Sequence, residues 1–186
     1  MIDVLHIINL PEREDRLASA VNQCRWQKIP FRIWDGITKH LRNSENISEA
    51  HKQIIRYAKQ EGLPRCIIAE DDIIFTSDNS WKYFLDNIPI DYDIFLSMIY
   101  AGQIEKNRIL NGFSGMTLYC VHERFYDFFL SISSDLHIDR GLGMYAFEKK
   151  YIVCNPYVAR QSGGFSNNMG KVMTYEVQEK SMPFLT

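Results

Sequence analysis

Apolar and polar positions follow two rhythms along this chain, and their succession predicts strand and helix in turn. Val4 to Ile8 is a short apolar run closed by Asn9 and Pro11. From Glu12 the spacing turns helical, with Leu17, Ala20, Val21 and Cys24 on one face. Phe31 to Trp34 reads as a second strand closed by Asp35-Gly36; a polar stretch then leads into a helix from near Ser48, striped by Ile54, Ile55 and Ala58. Cys66-Ile67-Ile68-Ala69 is continuously apolar, as a strand covered on both faces must be, and it runs straight into Glu70-Asp71-Asp72. Beyond it the pattern predicts a helix over 81–85, a strand over 93–98, and a strand over 116–121 feeding a helix over 123–132. A helix over 142–147 and a strand over 151–154 follow.

Such alternation predicts an α/β class, a Rossmann-type three-layer domain around a mainly parallel central sheet, with ligands bound beyond the carboxyl ends of the strands. From Gln161 the chain is rich in Ser, Gly and Asn and loses its periodicity, so 162–186 is expected to be loop or flexible tail. A length of 186 residues suits one domain over 1–186.

Composition narrows the function classes. A hydrophobic fraction of 46% and a charged fraction of 24% describe a folded soluble domain, and a net charge of −2 with interspersed signs leaves no basic face for nucleic acid. The start lacks a signal-peptide pattern and no stretch approaches membrane-spanning length, so any membrane association is expected to be peripheral. Cys24, Cys66, Cys120 and Cys154 are scattered without a close pair, which predicts neither a zinc knuckle nor a disulfide framework and points to a cytoplasmic setting.

Candidate chemistry concentrates at Glu70-Asp71-Asp72. Three adjacent carboxylates repel one another, and a cation neutralises them; hard oxygen ligands favour Mg²⁺ or Mn²⁺, which bridge protein carboxylates to substrate phosphates. The alternative is a solvated acidic turn, but the apolar residues on either side, Ile67, Ile68, Ile73, Ile74 and Phe75, favour the metal reading. Between the first strand and its helix, free backbone N–H groups with Arg13 and Arg16 can receive a phosphate; equally, the two arginines can pair with Glu12 or Glu14 on an exposed face. His51 shares the inward face of its helix, the position of a core histidine with a structural hydrogen bond. Asp139 precedes a helical segment, where it can serve as a general base or acceptor-binding group, or simply cap the helix. Gly112-Phe113-Ser114-Gly115 reads as a turn shaping a pocket wall.

Six segments then occur in one order: Ile8-Asn9-Leu10 with Arg13 and Asp15-Arg16; Ser48-Glu49-Ala50-His51; the strand and acidic triplet over 66–73; Gly115-Met116-Thr117-Leu118-Tyr119; Ile138-Asp139; and Pro156 with Gln161 and Ser166. That order resembles the family 25 glycosyltransferases, which include bacterial lipooligosaccharide galactosyltransferases and collagen galactosyltransferase domains. The match departs in its short length and in lacking a Gly-Cys pair before the Ser-His element. The resemblance implies a GT-A-like fold, a UDP-sugar donor held by Asn9, Leu10, Arg13, Arg16, Glu70 and Asp71, and Mn²⁺ or Mg²⁺ held by Asp72 with Glu70.

The function expected from these pieces is transfer of a hexose, galactose by resemblance, to a hydroxyl of a surface-glycan or lipooligosaccharide acceptor. Inversion at the anomeric carbon is expected, with Asp139 as general base. Two rivals make different demands. A Mg²⁺-dependent phosphatase of the haloacid-dehalogenase kind needs an aspartate nucleophile after the first strand, where Asn9 stands. A catalytically silent nucleotide-sugar-binding domain would bind donor without turnover.

Overall fold

The computed structural model describes residues 2–166, 170–174 and 183–186. Strands β1 (Leu5–Asn9), β2 (Phe31–Asp35), β3 (Arg65–Glu70), β5 (Ile94–Leu96), β8 (Leu118–His122) and β9 (Tyr151–Val153) form a six-stranded sheet in the order β2-β1-β3-β8-β5-β9. β1 pairs parallel with both β2 and β3, and β5 pairs parallel with β9; β8 runs antiparallel between β3 and β5. The mainly parallel sheet therefore contains one reversed central strand, because the hairpin of β6 (Ala101–Ile104) and β7 (Leu110–Ser114) returns the chain to the sheet from the opposite end.

Side chains alternate across the strands and separate two cores. Cys66 and Ile68 face a cluster that includes Ile54, Ile55 and Ala58 from α2 (Asn43–Gln60), Phe129 from α4 (Tyr126–Ser131) and Leu142 from α5 (Ile138–Gly143). Ile67 and Ala69 face the other, with Ala20 and Cys24 from α1 (Glu14–Gln27) and Trp81 and Phe84 from α3 (Ser80–Asp86). Helices thus cover both faces, which is the three-layer arrangement the alternation predicted. Burying a Leu- or Ile-sized side chain contributes about 1.5–3 kcal/mol, and both faces of β3 are lined by residues at 0–2% exposure, so the strand carrying the acidic triplet is anchored from two sides.

Several boundaries differ from the expectation. α2 begins at Asn43, five residues ahead of Ser48, because polar residues solvate its first turn while the apolar stripe starts later. α5 ends at Gly143, so the helix expected over 142–147 lies earlier and Asp139 sits within its first turn. The helix expected over 123–132 is a 3₁₀ turn followed by α4. Gly112 to Ser114 belong to β7, not to a turn; the bend falls at Gly115, with φ +94. β4 (Ile73–Phe75) pairs antiparallel with β10 (Ala159–Gln161). Within the segment read as loop or tail, β11 (Gly164–Ser166) and β12 (Lys171–Met173) form an antiparallel ribbon, and Tyr157 bridges to Phe184. The rest of that expectation, over 167–169 and 175–182, lies outside the described residues.

Candidate active site

The carboxyl ends of β2, β1 and β3 lie side by side and open into a cavity of about 450 Å³. Leu10 follows β1, Gly36 follows β2, and Glu70, Asp71 and Asp72 close β3; Arg13 and Arg16 enter from the start of α1 and His51 from α2, all lining the cavity. This is the crevice where open α/β sheets gather ligands.

The triplet is a turn pinned at both ends. The Glu70 N–H donates to the Thr117 carbonyl (2.9 Å) and the Ser162 N–H to the Asp72 carbonyl (2.7 Å), so the residue before β8 and the residue after β10 fix the backbone that presents the carboxylates. Asp71 and Asp72 are 7% and 4% exposed. Arg16 Nη1 donates to Asp71 Oδ1 at 3.0 Å and to Asp72 Oδ2 at 3.5 Å. Burial pushes the Asp72 carboxyl well above the ordinary carboxylate range, the Glu70 charge adds to this, and the Arg16 guanidinium opposes it. Asp71 is raised by the same burial against the same arginine. Glu70 is pushed up to about 8, first by burial, then by the Asp139 and Asp71 charges, against Arg16 and a hydrogen bond from Gln161. Burial thus disfavours the charged form of all three carboxyls, and Arg16 is the counter-charge bonded to Asp71 and Asp72.

His51 has the inward orientation the helical face predicted: it is 2% exposed, and its Nδ1 lies 2.7 Å from the Tyr119 hydroxyl. Its other nitrogen, Nε2, lies 3.5 Å from Glu70 Oε1. Burial lowers the imidazole to about 4, only partly opposed by Asp139, so the ring is neutral at physiological pH and the contact with Glu70 is not an ion pair.

The other predicted residues divide between the cavity and its support. Neither arginine pairs with Glu12 or Glu14: Arg13 binds both carboxylate oxygens of Asp15 (2.9 Å each), Arg16 takes Asp71 and Asp72, and both guanidinium groups donate to the Phe165 carbonyl. Asn9 does not line the cavity; it is 3% exposed, its amide donates to the Leu10 carbonyl, and its own carbonyl accepts the Gly36 N–H. Asp139 also stands behind the lining. Its carboxylate accepts the Gly115 N–H and the Arg140 N–H, both at 2.8 Å, and its charge reaches Glu70 and His51.

Residues that sequence reasoning passed over complete the walls. Ile37, Thr38, His40 and Asn46 come from the polar stretch after β2, and Gln161 and Ser166 from the far end of the chain. Asp35-Gly36 at a strand end was the available signal for the first group; no local signal marks the second.

Whether a metal fits can be judged from unmet bonding. Among the described residues, Asp72 Oδ1 is buried without a hydrogen-bond partner, as is Asn9 Oδ1. Leaving such an acceptor unmet costs about 1–3 kcal/mol. A divalent cation would satisfy the Asp72 oxygen and favour the ionised form of the carboxyls that burial disfavours. No three Asp, Glu, His or Cys side chains are grouped to hold a metal among the described residues. The chain therefore suits a cation that takes one or two protein carboxylates and completes its shell with water and substrate phosphate, as Mg²⁺ and Mn²⁺ do.

No family model matches the chain, and no curated protein matches its sequence. Solved structures do match in shape. A crystal structure of a glycosyltransferase involved in glycosylation of the major capsid of PBCV-1 superimposes with a TM-score of 0.59 at 12% identity, covering 84% of this chain and 83% of that one. A mutant Drosophila β-1,4-galactosyltransferase 7, in complex with manganese, UDP-Gal and xylobiose, gives 0.55 at 9% identity over 87% of this chain and 71% of that one. No helix among the described residues is long and apolar enough to cross a membrane. At these identities the likeness is one of fold: the chain has a mixed α/β fold that glycosyltransferases share.

Proposed function

We propose that this chain is a metal-dependent glycosyltransferase that moves a hexose from a UDP-sugar to a glycan hydroxyl. The observation that carries the proposal is Asp72: a buried carboxylate with one unmet oxygen, at the carboxyl end of a central strand, facing a cavity that also receives Arg16. The fold shared with glycosyltransferases and the order of motifs resembling family 25 support the same reading; galactose, inversion and a surface-glycan acceptor follow from that resemblance alone.

On this reading Asp72, with Glu70, would hold Mn²⁺ or Mg²⁺, which when bound neutralises the leaving diphosphate. Arg16 and Arg13 already point N–H groups at a carbonyl oxygen of Phe165, and a phosphate oxygen is a stronger acceptor for the same groups. Leu10 and Gly36 lie side by side in the cavity wall; a Cβ at Gly36 would stand 2.7 Å from Leu10 Cδ2, so a larger residue there would push the leucine side chain aside. Asp139 stands behind the lining, so its proposed part in deprotonating the acceptor hydroxyl runs through Glu70, the cavity carboxyl whose proton affinity its charge raises, while the Gly115 N–H orients Asp139 itself.

Incubation with UDP-galactose and Mn²⁺ tests the proposal. Release of UDP, accelerated by a glycan acceptor, is the expected result. Phosphate release from phosphomonoesters, with UDP-galactose left intact, would indicate the phosphatase chemistry instead; donor binding without turnover would indicate a silent binding domain.

A further inference from the structure

Arg16 donates to Asp71 and Asp72, whereas the Glu70 carboxyl is approached by a chain of two buried groups. Tyr119 sits on β8 in register with Ile68 on β3, two residues before Glu70 and therefore on the same face. Its ring is wholly buried, stacked near Phe129, and burial keeps the phenol protonated. The hydroxyl reaches His51 Nδ1 at 2.7 Å, and the far nitrogen of that imidazole stands 3.5 Å from Glu70 Oε1 at the cavity floor.

Tyr119 and His51 share a hydrogen bond, and the 3.5 Å approach of His51 Nε2 to Glu70 Oε1 is a looser polar contact. A neutral imidazole has one donor and one acceptor nitrogen. A buried phenol must donate its O–H, and His51 Nδ1 is the acceptor within reach; the imidazole proton therefore resides on Nε2, aimed at Glu70. His51 Nε2–H and the Gln161 amide then approach the Glu70 carboxyl from α2 and β10 respectively.

Resting on the donor reading above, we infer that Tyr119 and His51 are positioning residues that fix the Glu70 carboxyl at the floor of the nucleotide-sugar site. Tyr119 lies behind the lining and His51 within it, and partners of metal-binding carboxylates typically govern affinity by about 10- to 100-fold.

Two measurements test this. Long-range ¹H–¹⁵N spectra of the metal-free chain at pH 7 should show His51 as the Nε2–H tautomer, and Tyr119→Phe should shift it toward Nδ1–H; an Nδ1–H tautomer in the wild type would overturn the inference. In a double-mutant cycle on UDP-galactose binding with Mn²⁺, His51→Ala is expected to weaken affinity about tenfold. It should add nothing to Glu70→Gln, while His51→Gln, which keeps an N–H near the same place, recovers part of the loss. Independent, additive losses would mean that His51 does not act through Glu70. If the wild type binds no UDP-galactose, the donor reading fails, and the tautomer still decides between a directed relay and an ordinary core histidine.

Discussion

Arg16 is the residue on which the charge balance of the cavity turns. Its guanidinium faces two carboxylates whose side chains are 10% and 5% exposed, and removing one partner of a buried pair leaves the other uncompensated. Arg16→Ala is expected to lower unfolding free energy by about 3 kcal/mol at neutral pH in urea titrations, and Asp72→Asn in the same chain should recover part of it. Glu70 sets the pH response. Its folded value of about 8 exceeds the ordinary 4.5, so in between the folded chain binds a proton that the unfolded chain has released, and stability is lost as pH rises toward 8. His6 and His51, both lowered to about 4, act with the opposite sign below pH 6.5, which leaves pH 7 to 8 to the raised carboxyls, Glu70 together with Asp72. Across it the Tm of the metal-free chain should fall by about 2–4 °C for the roughly 1 kcal/mol lost. Glu70→Gln should flatten that slope.

At the scale of elements, the triplet was legible because β3 is apolar on both faces and stops abruptly at charge. The support for it was not. β4 and β10 are three residues each and separated by more than eighty positions, so no periodicity announces their pairing. α5 shows the opposite failure: Gly141 and Gly143 lie inside the helix, where propensity argues against them, because close packing requires their size. A Cβ at Gly143 would stand 2.7 Å from the Phe113 carbonyl oxygen. Gly115 links these elements to Asp139. Its φ is +94, and a Cβ would meet Tyr100 N at 2.8 Å. Gly115→Ala should cost about 1–3 kcal/mol in backbone strain and weaken the N–H that orients Asp139. Urea unfolding reads the first effect; the rate of UDP release at unchanged donor affinity reads the second.

Across the whole molecule, alternation of strand and helix was enough to predict three layers and a crevice at the carboxyl ends of the strands, since those follow from burial on both faces of a sheet. Reversal of β8 was hidden, because an apolar run carries no sign of direction. The far wall of the cavity was hidden too: Gln161 and Ser166 reach it only through the antiparallel return of β10. What the assembled cavity combines is a buried acidic turn, two arginines and a polar wall after β2, within a fold that glycosyltransferases share. Calorimetric titration of UDP-galactose with and without Mn²⁺, on the wild type and on Asp72→Ala, tests that combination most directly. Mn²⁺-dependent binding that weakens in Asp72→Ala by at least the 10- to 100-fold typical of outer-shell changes is expected; binding that needs no metal and survives Asp72→Ala undiminished would contradict a metal site at Asp72.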